Sequence, residues 1–423
     1  MSKWSWILRR VVRKIWFRAA LISLLSVGLA ILSGAISPYL PYAFGADLGQ
    51  DAVGTILQIM ASSMLAVTTF SLTAMVSAYS SATQLATPRA TQLLINDPTS
   101  QNALSTFLGA FVFSIVGIIG LQTHAYGSDG RIILFGATVL IVIWVVVTLL
   151  RWIAHITAFG RMSDVIDRVE NAAAEAMAGF AKAPHLGGRP AIAVPADAVA
   201  IRGKTTGYVT HIDVTALGAI AARCDVVIHV AALPGSMVHP HRDLVHVEGQ
   251  IDDTARDALL RAFTIERHRT FDQDPRLGLI ALSEIASRAL APATNDPGTA
   301  IEVLNALLRV LLNLPVDRID ADGASSRPRV HLPRPTTADM LTDAFRPILR
   351  EGSEETEVTI RLIATLAALH HALPGARDEI QSLATRSMAR AKAKMEDPDA
   401  LAAFAQAYRQ AWGERPDRAR DDA

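Results

Sequence analysis

The feature that most constrains this chain is a series of four apolar segments close to its N-terminus. They lie at about residues 19–39, 53–80, 104–121 and 132–150, and none has a charged residue near its middle. A helix needs ~20 predominantly apolar residues to cross the hydrocarbon core of a bilayer. The sequence therefore predicts a four-span transmembrane domain over residues 1–155, with the lipid bilayer as its partner.

The charges beside these segments predict their orientation. Six positive charges precede the first segment, at Lys3, Arg9, Arg10, Arg13, Lys14 and Arg18. Arg89 and Arg151 mark the other inner ends, whereas residues 42–51 carry two Asp and no Lys or Arg. By the positive-inside rule, both termini and everything after residue 155 lie in the cytoplasm. The alternative for the first segment is a signal peptide, but its apolar stretch exceeds the roughly 7–15 residues of a signal core.

The second segment differs from the others because hydroxyl and amide side chains recur along it at helical spacing. The candidate pore- or cavity-lining residues are Ser62, Thr69, Thr73, Ser77, Ser80 and Gln84. Spacings of three, four and seven residues place them on one face of a helix. Three interpretations stay open: packing against neighbouring helices, a hydrated path, or a re-entrant or interfacial helix. The absence of charge near the middle of every span argues against ion-coupled active transport.

The remainder of the chain alternates charged and apolar residues, as a water-soluble domain does. We predict a connecting helix over residues 156–189, a small β-rich subdomain resembling a half-open barrel over 190–250, and a helical part over 251–412. Residues 413–423 are charged and are predicted to be disordered. The fold class is therefore mainly α: a four-helix transmembrane region followed by an α+β cytoplasmic domain.

Composition and motifs exclude several classes of function. The first 151 residues hold nine Lys or Arg and four Asp or Glu, so the neutral total makes the soluble part acidic, which argues against nucleic-acid binding. No phosphate-binding glycine loop or nucleophile elbow is present, and no metal-ligand pattern stands out. We therefore expect no cofactor and no bound metal, and an enzyme is the least favoured class.

The densest group of polar residues lies between residues 269 and 296. Asp272, Asp274 and Asp296 can each cap a following helix, and Asp296 before Pro297 is a typical N-cap with proline in the first turn. Glu284 and Arg288 are four residues apart on one predicted helix and can pair. Capping and ion pairing explain this group; the alternative is a ligand, ion or subunit-contact site. The complete cluster is Asp272, Gln273, Asp274, Arg276, Glu284, Arg288, Asn295 and Asp296.

The same stretch carries a family resemblance. Residues 270–279, 285–292 and 295–300, together with 207–213, Pro234-Gly235 and residues 80–89, resemble the DUF2254 family of predicted bacterial membrane proteins. Where that family tends to have Phe-Ser-Pro-Arg, this chain has Ala86-Thr-Pro-Arg89, which leaves only Pro88 and Arg89 in common. The resemblance implies a four-span protein of the bacterial inner membrane, without a known cofactor and without an assigned activity.

Two functions from different classes follow. The first is an oligomeric channel or passive permeation pathway lined by the second span; four spans in one chain rarely enclose a pore, so it requires a homo-oligomer. The alternative is a membrane-anchored cytoplasmic sensor or scaffold that binds a ligand or a soluble protein partner of unknown identity. Convergence of Asp272, Asp274 and Asp296 on one pocket would instead favour an enzyme.

Overall fold

The computed structural model describes residues 12, 15–35, 50–85, 87–95, 97–123, 128–314 and 327–413. The predicted end of the first span, the six-charge N-terminal segment apart from Arg18, and the predicted disordered tail beyond residue 413 lie outside these residues. The described residues form two compact units: residues 7–85 with 91–164, and residues 86–90 with 165–423.

The first unit contains helices and no strand among its described residues. Its helices are α1 (Ile15–Ala35), α2 (Gln50–Leu85), α3 (Pro88–Ile95), α4 (Pro98–Gln122) and α5 (Ser128–Ala158), and the two units share α3 and the next helix, α6 (Met162–Lys182). Helix α4 packs against α1, α2 and α5. The core includes Leu57, Phe107, Phe113 and Leu134.

Three stretches of this unit are long and apolar enough to cross a membrane, namely Ala52–Ser80, Pro88–Gln122 and Gly130–Thr157. They correspond to the second, third and fourth predicted spans. Helix α1 contributes only a shorter apolar stretch, Phe17–Leu29, among the described residues. The described residues therefore contain three candidate spans, and the first predicted span stays a prediction.

The second unit combines helices with two sheets. Its strands are β1 (Arg189–Pro190), β2 (Val199–Arg202), β3 (Gly207–Ile212), β4 (Val227–Val230), β5 (Met237–Val238), β6 (Asp243–Glu248), β7 (Phe263–Glu266) and β8 (Val330–Leu332). One sheet has the order β1-β8-β4-β6-β2, and the other has the order β5-β3-β7. The half-open barrel of the sequence prediction is thus a pair of sheets, and the described strands close no barrel.

The helices of this unit fall into two groups. Two short helices, α7 (Val214–Cys224) and α8 (Asp253–Ala262), contribute to the core of the strands. The others are α9 (Pro275–Ala289), α10 (Pro297–Leu311), α11 (Thr337–Glu351), α12 (Thr356–Ala372), α13 (Arg377–Lys394) and α14 (Pro398–Trp412). Helix α9 packs against α10 and α11, and α12 packs against α10, α13 and α14.

Aspartate caps define where many of these helices begin. Asp97, Asp213, Asp252, Asp274 and Asp296 each precede a helix and accept a hydrogen bond from a backbone N–H of its first turn. Three of these helices also start with proline, whose missing N–H costs nothing at that position. The local sequence therefore specifies where these helices begin.

Candidate functional site

The hydroxyl stripe of α2 faces away from the rest of its own unit. Ser62, Thr69, Thr73, Ser77 and Ser80 are all exposed. The buried face of α2 includes Val53, Leu57, Met64, Ser71 and Met75, which lie on the opposite side of the helix. The side chain of Gln84 lies outside the described residues. Packing against the described residues of one chain therefore does not account for the stripe.

Three hydroxyls of the stripe bond to carbonyl oxygens of their own helix. Ser62 donates to Gln58 at 3.1 Å, Thr69 to Leu65 at 3.0 Å, and Thr73 to Thr69 at 3.0 Å. Such bonds satisfy the donor while leaving the hydroxyl oxygen able to accept another bond. The stripe can therefore offer acceptors to water or to a second protein surface without leaving an unsatisfied donor in an apolar environment.

The family-motif cluster is centred on the start of α9. Asp274 is 2% exposed, and its carboxylate receives hydrogen bonds from Arg269 Nε at 2.7 Å and from the backbone N–H of Arg276 at 3.2 Å. Arg269 Nη2 lies at 2.7 Å from the same carboxylate. Burial raises the pKa of Asp274, and the Arg269 guanidinium opposes that rise. The predicted cap is thus also one half of a buried ion pair.

The Pro234-Gly235 turn packs directly on this ion pair. Gly235 has φ +86°, and a Cβ there would overlap the Asp274 carboxylate and lie 2.9 Å from Arg269 Nη2. Only glycine satisfies both the backbone conformation and the space. On the other side, the Gln273 side-chain oxygen accepts from the backbone N–H of Ile212 at 2.9 Å. The motif residues of three separate segments therefore meet around the start of α9.

The other members of the cluster point to different neighbours. Arg276 donates to Asp343 of α11 at 2.6 Å, and this bond raises the pKa of the Arg276 guanidinium. Glu284 forms an ion pair with Arg89, which lies in the residue 86–90 segment of the same compact unit. Asp272, Arg288 and Asn295 are exposed, and the proposed Glu284–Arg288 pair stays a prediction.

The three carboxylates that were candidates for a shared pocket do not converge. Asp274 caps the start of α9, whereas Asp296 follows its end and donates its backbone N–H to Ala289 at 2.9 Å. Helix α9 has 15 residues, so it separates these caps by ~20 Å. Asp296 is exposed, and its hydrogen bonds from Thr299 lower the pKa of its carboxyl. This separation removes the geometric argument for an enzyme built on these residues.

The structure contains an Asp–His pair between helices that the sequence did not predict. Asp97 is 2% exposed, caps α4, and lies 2.9 Å from His155 Nε2 near the end of α5. The His155 ring contacts Phe159, which in turn contacts Tyr79 of α2. Asp97 before Pro98 signals a cap in the sequence, but nothing local predicts a histidine 58 residues away as its partner.

The family comparison decides the classification of this chain. The model of the family described as "Predicted membrane protein (DUF2254)" matches residues 12–368. This chain belongs to the DUF2254 family. The DUF2254 assignment and the apolar helices together support a membrane protein, and the resemblance read from the motif residues is confirmed.

The names of the curated relatives of the DUF2254 chain state no activity. An uncharacterized protein from Mycobacterium bovis and one from Mycobacterium tuberculosis are each 32% identical to it over 184 residues. The alignment covers 41% of this chain and 35% of each relative, so the chain matches about a third of their length. No solved structure matches the DUF2254 chain.

Proposed function

We propose that this DUF2254 protein forms an oligomeric channel or passive permeation pathway whose wall is the hydroxyl stripe of α2. The observation that carries the proposal is the position of five hydroxyl side chains on the exposed side of a candidate span, opposite its buried face. A second copy supplies the surface that the stripe lacks within one chain. Water or hydroxyls of that copy then bond the free acceptors of the stripe.

The residues beside the stripe support an arrangement around an axis. Leu65, Leu72 and Val76 flank it on one side, Ile59 and Phe70 on the other, and all five are exposed. Large apolar groups on both sides of a polar line suit a helix that contacts lipid or neighbouring subunits at its flanks and water at its centre.

The proposed location is the bacterial inner membrane, with both termini in the cytoplasm and with α1 as a fourth span. Lys and Arg residues before α1, together with Arg161 and Arg168 after α5, support this orientation, because the positive-inside rule counts Lys and Arg and not net charge. Cysteine accessibility from the two sides of the membrane tests it. A reagent confined to the periplasm should label a cysteine placed in residues 42–49 and should leave one placed after residue 400 unlabelled.

Flux through liposomes that contain the purified protein tests the permeation pathway. K⁺ and glycerol serve as the probes, and Thr73→Phe should lower flux at least tenfold because the ring occupies the stripe. Leu72→Phe is the matched control, since it adds the same ring at the adjacent exposed position. Thr69→Val separates hydroxyl chemistry from volume. Equal flux in the Thr73 and Leu72 variants, or no flux above that of empty liposomes, contradicts the proposal.

A second candidate is a membrane-anchored sensor or scaffold, which the Arg89–Glu284 ion pair favours. Arg89 follows α2 by only a few residues, yet it belongs to the same compact unit as Glu284 of α9. A ligand or partner that displaced α9 would therefore act on the segment directly after the stripe helix. This candidate predicts that a bound partner protects residues 165–413 from proteolysis, and that Glu284→Gln alters this protection without changing basal flux.

A further inference from the structure

Two connections leave the three-stranded sheet beside the start of β3. Gly207, the first residue of β3, pairs with Val238, the last residue of β5. Strand β7 ends at Glu266, opposite the second residue of β3. Antiparallel partners run in opposite directions, so the chain enters β3 where it leaves both neighbours. Residues 239–242 and 267–268 therefore begin beside Gly207.

The five-stranded sheet contributes one of its corners to the same place. Arg202 at the end of β2 pairs with Asp243 at the start of β6. Residues 203–206 lead from β2 to β3, and residues 239–242 lead from β5 to β6. Each of these connections is short and can span less than ~20 Å. The ends of five strands therefore form one surface with their connections, which we call the basic surface (residues 202–206, 239–243 and 266–268).

Positive charge is concentrated on the basic surface. It carries twice as many Lys and Arg as Asp and Glu, in addition to three imidazoles. The cations are Arg202, Lys204, Arg242 and Arg267, the acidic residues are Asp243 and Glu266, and the histidines are His239, His241 and His268. Residues 152–423 as a whole have more acidic than basic residues. An acidic part of the chain thus gathers basic side chains at one end of its sheets.

Most of these cations have no carboxylate partner. Arg202 pairs with Asp243 at 2.7 Å, whereas Arg242 donates to a backbone carbonyl oxygen at 2.6 Å. Within the part of the chain that the structure describes, Lys204, Arg242 and Arg267 form no ion pair. All four cationic side chains are exposed. Their charge is therefore available to an anion from outside the protein.

We propose that the basic surface docks on the headgroups of anionic phospholipids in the bilayer that holds this DUF2254 chain. The family assignment and the candidate spans tie the basic surface covalently to a bilayer. Docking is then an intramolecular event with a high effective concentration, so a weak attraction is sufficient. Each Lys or Arg close to an anionic bilayer strengthens that attraction about fivefold.

The other side chains of this region favour lipid over an acidic protein. Met237 is 42% exposed beside Arg242 and offers an apolar group that can enter the interfacial layer. The exposed hydroxyls of Thr205 and Thr206 can donate to phosphate oxygens. Extended Lys and Arg side chains can reach a plane of headgroups while their stems cover apolar surface. A lipid surface therefore satisfies the cations, the hydroxyls and the methionine together.

The attraction must depend on salt and on lipid charge. The Debye length shortens from ~30 Å at 0.01 M to ~3 Å at 1 M ionic strength, which screens exposed charges. An apolar contact with a neutral bilayer would not weaken in this way. The docking does not depend on the permeation pathway proposed for α2, because no residue of the stripe takes part in it.

Fluorescence quenching by a lipid with a spin-labelled headgroup tests the proposal on the full-length protein in nanodiscs. In a Cys224→Ala background, Thr205→Cys carries the fluorophore, and Thr385→Cys on α13 is the control site; both threonines are exposed. Discs of phosphatidylcholine are compared with discs that also contain phosphatidylglycerol. We expect phosphatidylglycerol to increase quenching at residue 205, and ~1 M NaCl to reverse the increase. Quenching at residue 385 should not respond to phosphatidylglycerol.

Charge reversal tests whether these particular side chains hold the surface on the lipid. Lys204→Glu combined with Arg267→Glu should lower the ratio of docked to undocked protein at least about 25-fold, because each lost charge accounts for about fivefold. Arg390→Glu combined with Lys392→Glu is the matched control, with the same change in net charge at exposed positions of α13. The control pair should keep the quenching of the parent protein.

Three outcomes of these measurements overturn the proposal. The first is equal quenching at residue 205 in the two kinds of disc. The second is quenching that survives the reversal of Lys204 and Arg267. The third is an equal loss of quenching in the control pair, which would assign the effect to net charge rather than to the basic surface.

Soluble anions form the last arm of the test. Inorganic phosphate and a poly-glutamate peptide are titrated by calorimetry into the protein in phosphatidylcholine discs. We expect no binding of either that the reversal of Lys204 and Arg267 abolishes. Such binding, together with quenching that ignores phosphatidylglycerol, would make the basic surface a site for a free anion or an acidic protein and would overturn docking on lipid.

Discussion

Removal of Arg269 should expose how strongly the start of α9 depends on one buried ion pair. The Asp274 side chain is 3% exposed and the Arg269 side chain 17%, and the arginine contacts the carboxylate through both Nε and Nη2. Arg269→Ala leaves a buried carboxylate without its counter-charge. Breaking a buried pair on one side costs ~3–5 kcal/mol.

Proton uptake limits that cost and makes it depend on pH. Burial already raises the pKa of Asp274, and loss of Arg269 raises it further. Protonation of a carboxyl whose unfolded pKa is about 3.9 costs about 4 kcal/mol of free energy at pH 7, because each pKa unit corresponds to about 1.36 kcal/mol. The same protonation costs about 1.5 kcal/mol at pH 5. The deficit of the variant should therefore be ~3–4 kcal/mol at pH 7 and ~1–2 kcal/mol at pH 5.

Pulse proteolysis in urea measures this deficit on the full-length protein in detergent, by following cleavage within residues 165–413. Arg267→Ala is the control, because Arg267 is exposed and lies two residues away. It should change the free energy of unfolding by less than ~0.5 kcal/mol. A deficit below 1 kcal/mol for Arg269→Ala at pH 7, or one that is equal at pH 7 and pH 5, would refute the reasoning.

Three further perturbations follow from the same unit. Gly278→Val should destabilise the unit by ~2–3 kcal/mol, because a Cβ at Gly278 would overlap the Cβ of Ala173 and lie 2.7 Å from the Cα of Ala173. Gly179→Val is the control and should not destabilise the unit, because Gly179 has open space around it. The urea midpoints of the two variants are compared with that of the wild type. Gly235→Ala should cost ~1–3 kcal/mol through its φ of +86° and its contact with Asp274, and equal midpoints for variant and wild type would contradict this. Asp296→Ala should cost ~1 kcal/mol at pH 7 as a lost N-cap. Since the pKa of Asp296 is lowered, its contribution is complete above the unfolded pKa and disappears as pH falls through the folded pKa, so the two proteins should become equally stable in acid.

Local sequence predicted the elements better than their surroundings. The apolar length of residues 53–80, 104–121 and 132–150 predicted three of the helices that are candidates to cross a membrane. Of the three predicted helix caps, Asp274 and Asp296 cap the helices α9 and α10. Both signals act over one element, so no distant residue is needed to interpret them. The first predicted span stays a prediction, because the apolar stretch described within α1, Phe17–Leu29, is shorter than a span.

The functional roles of the same residues depended on contacts between distant segments. The sequence placed the hydroxyls of Thr69 and Thr73 on one face, but only the packing of α2 against α4 shows that this face points away from the bundle. The sequence likewise predicted Asp274 as a helix cap. It could not predict that Arg269 and Gly235 are the neighbours of its carboxylate.

Partners across a sheet or between helices follow from register and packing, which no local pattern encodes. Asp97 meets His155 because α4 packs against α5, and His229 meets His331 because β4 pairs in parallel with a strand about a hundred residues later. A parallel pair requires a long connection, so its register is set by the tertiary core rather than by a turn. The sequence by itself therefore determined a membrane protein with a second part that mixes α and β structure. The outward stripe, the buried ion pair and the pairing of His229 with His331 were decided only when those elements packed together.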